Sequence, residues 1–149
     1  MIRKANVEDV KKIHKLINYH AKRDKMLPRS LNELYENIRD FFIYVDGKSL
    51  SGCCALHIDW EDLAEIKSLA VVPSRAGKGI GMKLLAECLK EARALRVKKV
   101  FALTYIPEFF RRVGFKVISK KELPHKIWSE CIKCVYFPGC KEIGMLKEI

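Results

Sequence analysis

No apolar run in this chain approaches the roughly 18 residues that a helix needs to cross a bilayer. Met1-Ile2-Arg3-Lys4-Ala5 leads directly into a strand-like segment, without the apolar stretch and cleavage site of a secretory signal. The expectation is a soluble cytoplasmic protein with no membrane partner. Repeats, low-complexity tracts and linkers are also missing, so the 149 residues are expected to form one domain, 1–149, around one core. Negative charge is scarce: 18 acidic residues face 29 basic ones, for a net charge of +11. The basic excess has no block structure. Lys11, Lys12, Lys15, Lys22, Lys98, Lys99, Lys120 and Lys121 are scattered, and neither a helix-turn-helix nor a stacking-aromatic motif accompanies them. That argues against specific nucleic acid binding and for a field that draws in small anions.

Histidine is sparse too. His14, His20, His57 and His125 show no convergent spacing and receive no catalytic role. In a cytoplasmic chain the six cysteines read as thiols rather than as a disulfide framework. Cys53, Cys54 and Cys88 fall in apolar patterns and read as small core residues. Cys131, Cys134 and Cys140 cluster, but a closed zinc site wants four ligands, and His125 would complete one only at an unusual spacing. Plain thiols are the expectation, with a disulfide or a metal as the alternatives. No metal is assigned.

What is present is a clear order of elements. Residues 7–21 carry Val10, Ile13, Ile17 and Ala21 on one helical face, with Asn6 as N-cap. A short helix follows Pro28, capped by Ser30 with Glu33 at capping-box spacing, and Leu31, Leu34, Tyr35 and Ile38 are expected to face inward. Strands are expected at 41–46, 50–58 and 63–72, with a hairpin at Asp46-Gly47 and a turn at Trp60-Glu61-Asp62. A helix over 79–95 presents Ile80, Leu84, Leu85, Leu89, Ala92 and Leu95 on one face. A strand at 99–104, a short helix at 107–113, and strands at 115–119 and 142–148 complete the chain. The fold class is α/β (α+β), with helices on both faces of a sheet.

The chemistry concentrates in Leu69-Ala70-Val71-Val72-Pro73-Ser74-Arg75-Ala76-Gly77-Lys78-Gly79-Ile80-Gly81. Three alternating glycines bare the backbone where a strand turns into the start of a long helix. Bare amides and the positive helix end together make an anion cradle. The Walker pattern is absent, and the G-x-G-x-G spacing, with no acidic residue ending the next strand, is not the dinucleotide fingerprint.

This run resembles the pyrophosphate loop of the GNAT acetyltransferases, Q/R-x-x-G-x-G/A, preceded by a strand reading L-x-V-x-P. Leu69, Val71 and Pro73 match the strand, and Gly79 and Gly81 match the two glycines. One position departs: Ala76 stands where the family has Arg or Gln, and the arginine is one residue earlier, at Arg75. The resemblance implies a mostly antiparallel mixed sheet with a strand split that holds acetyl-CoA. Backbone groups of Leu69, Ala70 and Val71 would then hold the acetyl and pantetheine arm. Those of Ala76, Gly77, Lys78, Gly79, Ile80 and Gly81 would hold the pyrophosphate. The segments Met26-Leu27-Pro28-Arg29-Ser30-Leu31, Ala64-Glu65-Ile66-Lys67-Ser68-Leu69-Ala70-Val71, Phe109-Phe110-Arg111-Arg112-Val113-Gly114-Phe115 and Leu123-Pro124-His125-Lys126-Ile127-Trp128 are similar to the short, stand-alone N-acetylglutamate synthases of arginine biosynthesis.

That similarity implies acetyl transfer to the α-amino group of L-glutamate. The reaction needs a neutral amine, so a carboxylate must remove the ammonium proton. Glu65, on the strand that carries the acetyl group, is the expected base; Glu61 and Asp62 are competitors that read as turn residues, and Glu65 could instead serve as a sheet salt bridge. Many family members carry a tyrosine in F-Y-x-x-x-G-F that protonates the departing thiolate. Phe110 replaces it here, which leaves Tyr105 or solvent. Arg29 is expected to grip a substrate carboxylate, with Lys67 and Lys126 as second choices. A different amine acceptor and a non-catalytic acyl-CoA sensor remain open as alternatives, as does a homodimer.

Overall fold

The computed structural model describes residues 1–119 and 142–149. Strand β1 (Ile2–Lys4) leads through a 3-10 turn (Val7–Asp9) into helix α1 (Val10–Ala21). Asn6 caps that entry as expected: its side chain accepts from the Glu8 amide, and Asp9 reaches back to the Asn6 amide at 2.8 Å. Arg3 binds the same Asp9 carboxylate through both terminal nitrogens, at 2.9 and 3.0 Å. Helix α2 (Leu31–Glu36) begins at Ser30, whose hydroxyl accepts from the Glu33 amide. Only Leu34 on this six-residue helix is buried. Leu31 and Tyr35 are exposed, contrary to the inward face read from the sequence. A helix under two turns long has room for one apolar contact row, and Leu34 fills it.

Strands β2 (Phe41–Asp46), β3 (Ser49–Trp60) and β4 (Leu63–Val71) form an antiparallel meander. The β2–β3 turn places Gly47 at φ 59°, where a side chain would be strained. Helix α3 (Ile80–Ala94) then crosses over to β5 (Lys99–Thr104), which lies parallel to β4. After helix α4 (Pro107–Arg111) come β6 (Lys116–Ile118) and β7 (Ile143–Glu148). The described strands make one mixed sheet in the order β1-β2-β3-β4-β5-β7-β6.

Alternation along the strands feeds two apolar layers. On one face Leu56, Ala64, Ile66, Val100 and Ala102 pack under Leu84, Leu85, Cys88, Leu89 and Ala92 of α3. On the other, Phe41, Ile43, Cys53 and Ala55 meet Val10, Ile13, Ile17 and Leu34 of α1 and α2. Burying each of these large side chains contributes roughly 1.5–3 kcal/mol. Leu95 was expected on the buried face of α3 but is 54% exposed, because it sits at the C-cap where the chain leaves the helix. Cys53, Cys54 and Cys88 are buried free thiols, as the apolar patterns imply. Burial pushes the Cys53 thiol up to about 12, so it stays protonated. Cys131, Cys134 and Cys140 lie outside the described residues.

Candidate active site

Parallel pairing between β4 and β5 runs only from Leu63↔Lys99 to Ile66↔Ala102. Beyond it the strands separate, and a cleft of about 740 Å³ opens between residues 67–71 and 103–106. The size suits a small-molecule site. This is the expected split, produced in the middle of the sheet rather than at its edge. Backbone groups of Leu69, Ala70 and Val71 that would have faced β5 face the cleft instead.

A bulge sharpens the opening. The β3–β4 register shifts between Cys53 and Ala55, and Ser68 adopts φ 54°, an uncommon angle for a residue with a side chain. Two contacts hold it there. The Cys53 thiol donates to the Ser68 carbonyl at 3.3 Å, and Arg29 donates to the Ser68 hydroxyl at 3.3 Å.

The glycine loop stands at the mouth. Gly77 and Gly79 have φ of 76° and 80°, with nothing within 4 Å of a Cβ added at either. Gly79 is the N-cap of this 15-residue helix and makes no side-chain cap bond to its first-turn amides. Gly77, Lys78 and Gly79 are exposed, while Ala76 and Gly81 line the cleft. Ile80 is buried against the core, which fixes the helix start on the sheet. A helix start without a side-chain cap and bare glycine backbone at the mouth of a cleft lined by the stretch of β4 beyond its pairing with β5 fit an extended, phosphate-bearing ligand.

Arg75, the displaced arginine, does not serve the cradle. It pairs with Asp46 in the β2–β3 hairpin, and Asp46 also accepts from Ser51 Oγ at 3.1 Å. The side chain therefore ties the loop to the sheet.

Glu65 is 6% exposed and lines the cleft. Lys67 Nζ lies 3.9 Å from its Oε1. Arg29 also lines the cleft; its Nε is 3.6 Å from Glu33 Oε2, and its guanidinium lies over the Phe41 ring at 5.4 Å. Tyr105 is at the cleft end of β5, half-buried. Phe110 is buried in edge-to-face contact with Phe109 and Phe115, so no hydroxyl is offered from that position. Glu65, Arg29, Lys67 and Tyr105 are thus brought to one cleft; Lys126 lies outside the described residues.

Two histidines set aside on sequence spacing have defined positions. His20, at the end of α1, lines the cleft and donates from Nε2 to the Val71 carbonyl at 2.8 Å. His57 donates from Nδ1 to Asp40 Oδ2 at 2.7 Å. Neither contact has a local sequence signal, since the partners are 51 and 17 residues apart.

Comparison with known proteins agrees with this geometry. Residues 7–115 match the acetyltransferase (GNAT) family. The chain is 37% identical over 148 residues to an uncharacterised N-acetyltransferase of Chlorobaculum tepidum, covering 99% of this chain and 96% of that one. It is 36% identical over 134 residues to an amino-acid acetyltransferase of Mycobacterium tuberculosis, covering 87% and 76%. Its structure is similar to that of N-acetylglutamate synthase from Neisseria gonorrhoeae complexed with coenzyme A and N-acetyl-glutamate. The TM-score is 0.91 with 30% identity, over 99% of this chain and 34% of that longer one. With the split sheet, the glycine-flanked helix and the match over most of its length, the chain belongs to the acetyltransferase (GNAT) family and is an acetyl-CoA-dependent N-acetyltransferase.

Proposed function

We propose that this enzyme acetylates the α-amino group of an amino acid, with L-glutamate as the acceptor, the first step of arginine biosynthesis. The observation that carries the reading is the placement of Arg29 and Glu65 on one cleft beside the bulged strand β4. The names of the relatives support the same acceptor class.

Acetyl-CoA, when bound, supplies an acyl group on a thioester. Leu69, Ala70 and Val71 would hold its arm through backbone groups, and residues 76–81 its pyrophosphate. Glu65 takes the proton from the substrate ammonium, freeing the nitrogen lone pair. Its burial keeps water from competing for that proton. Lys67 Nζ, 3.9 Å away, sets a positive charge beside the carboxylate. Arg29 binds a substrate carboxylate, and its planar fork against Phe41 and Ser68 fixes the direction from which the amine approaches. Tyr105, just after β5, lines the same cleft and donates its hydroxyl proton to the leaving sulfur.

The test compares Arg29→Ala with the wild type for both substrates. L-glutamate KM is expected to rise strongly, because a desolvated charge pair is worth on the order of 2–5 kcal/mol. Acetyl-CoA KM should stay nearly constant, and Arg29→Lys should recover part of the loss. If both KM values and the melting temperature move together, Arg29 only pins its loop to β4.

A second reading has its own support. Among the described residues, the carboxylates of Asp24, Glu33, Glu65 and Glu142 share the cleft with Lys25, Arg29 and Lys67, so a cationic acceptor such as a polyamine also finds partners. A panel of single amino acids and polyamines, followed by free-thiol release from acetyl-CoA, separates the two.

A further inference from the structure

A carboxylate that is 6% exposed and removes one proton per turnover must return that proton to water before it can act again. While substrates fill the cleft, that route is closed. Glu65 stands directly opposite His57 in the β3–β4 ladder, so the two side chains project from the same face of the sheet. Opposed residues have Cβ atoms roughly 4.5–5.5 Å apart, so a rotation of either side chain, or one water between them, joins the carboxylate to the imidazole. His57 Nδ1 is committed to Asp40 Oδ2 at 2.7 Å, which leaves Nε2 as the nitrogen that accepts a proton in the neutral ring. The His57 and Asp40 side chains are 29% and 23% exposed, and neither lines the cleft. The pair therefore leads from the buried carboxylate to solvent by a path outside the substrate site.

We propose that His57, oriented by Asp40, is a positioning residue that receives the proton collected by Glu65 and passes it to water while the cleft is occupied. This rests on the reading of Glu65 as the general base. The ammonium N–H bond breaks with its electron pair left on nitrogen, and an O–H bond forms at Glu65. The proton then moves to His57 Nε2, giving an imidazolium whose Nδ1–H stays on Asp40, and leaves from Nε2 to water. Among the described residues the charged groups facing His57 are Asp40 before β2, Asp59 on its own strand, and Glu65 and Lys67 on β4. The hydrogen bond to Asp40 raises the imidazole above its usual range, with burial and Lys67 acting in the opposite direction. The relay is therefore blocked by protonation at acid pH and opens as pH rises past that raised value.

Two measurements test it. In the first, the His57 ring is titrated by NMR in the wild type and in Glu65→Gln, with no substrate present. Loss of the neighbouring carboxylate should lower the His57 midpoint by about half a unit or more, and Asp40→Asn should also lower it. An unchanged midpoint in Glu65→Gln means the two groups do not sense each other and overturns the proposal. This arm needs no acceptor and decides alone if L-glutamate is not acetylated. In the second, turnover is followed against pH with acetyl-CoA and L-glutamate. His57→Gln should cut kcat roughly tenfold, below the range of a direct acid–base group, with both KM values within about twofold. It should also remove the acid limb. Added imidazole should restore His57→Ala, and Asp40→Asn should move the acid limb to lower pH. Losses confined to melting temperature and KM, without imidazole rescue, would make the pair structural. A fully active Glu65→Gln ends the general-base reading itself; an inactive Glu65→Gln beside an unaffected His57→Gln ends only the relay.

Discussion

Gly79 offers a clean test of the anion cradle, because two substitutions there share one cost and differ in another. At φ 80° any side chain is strained, by roughly 1–2 kcal/mol. Nothing lies within 4 Å of an added Cβ, so Gly79→Ala meets no steric barrier in the folded protein, and the exposed position leaves the longer glutamate side chain open to solvent. Both should lose about the same stability, on the order of 2–8 °C in Tm for a chain of this size. They should part on acetyl-CoA. Alanine leaves the first-turn amides of α3 open, and its effect on affinity should stay within about threefold. Glutamate sets a carboxylate at the helix end where pyrophosphate is to bind. It can also accept from the amides that charged phosphate oxygens need, each such bond being worth about 1.5–3 kcal/mol. The expected weakening for Gly79→Glu relative to Gly79→Ala is thus about 10- to 150-fold. Calorimetry with acetyl-CoA and thermal melts on the same preparations measure both terms. Equal affinity in two equally folded variants would show that the cofactor does not use this helix end, and the assignment of residues 76–81 would fall with it.

Arg75→Ala should raise the acetyl-CoA KM by no more than about fivefold, since a half-exposed ion pair is worth ~1 kcal/mol at most. Steady-state kinetics check this, and Asp46→Asn should match it if the pair holds the loop. Asp9→Asn should destabilise the fold by about 1.5–3 kcal/mol at neutral pH, because it removes a charged acceptor from Arg3 and from the Asn6 amide. The hydrogen bond from Arg3 holds the Asp9 carboxyl below its ordinary 3.8. Its contribution is full above that value and is lost as pH falls through the lower folded one. Wild type and Asp9→Asn should therefore converge in denaturant midpoint as pH falls below 3.8, and a constant gap would refute the linkage.

The order of elements was legible because it rests on periodicity. The rows of Val10, Ile13 and Ile17 and of Ile80, Leu84 and Leu85 are set by 3.6-residue spacing and survive any tertiary arrangement. The glycine loop ahead of α3 was legible as a turn because glycines at alternate positions, after a strand and before a helix, accept the left-handed angles seen at Gly77 and Gly79. Burial at element ends was not: Leu31, Tyr35 and Leu95 follow the apolar pattern yet lie outward, since nothing in the sequence says where a neighbour stops covering them. The partners of Arg75, His20 and His57 were beyond reach for a related reason. Each is decided by strand register and helix placement between distant segments. Thus Asp46, Val71 and Asp40 carried no mark of their roles.

The early end of β4–β5 pairing reaches past the site to the way the protein unfolds. Laterally, β1–β4 and the β5–β7–β6 group are joined by four residue pairs, with the layer under α3 bridging them below. In the free protein the amides of 67–71 facing the gap should exchange with solvent early, well before those of β2 and β3. A bound chain of amides and phosphates would close that seam as a missing strand would. Acetyl-CoA should then slow exchange on both sides of the gap at once and sharpen the thermal transition, turning two loosely coupled sheet halves into one cooperative unit.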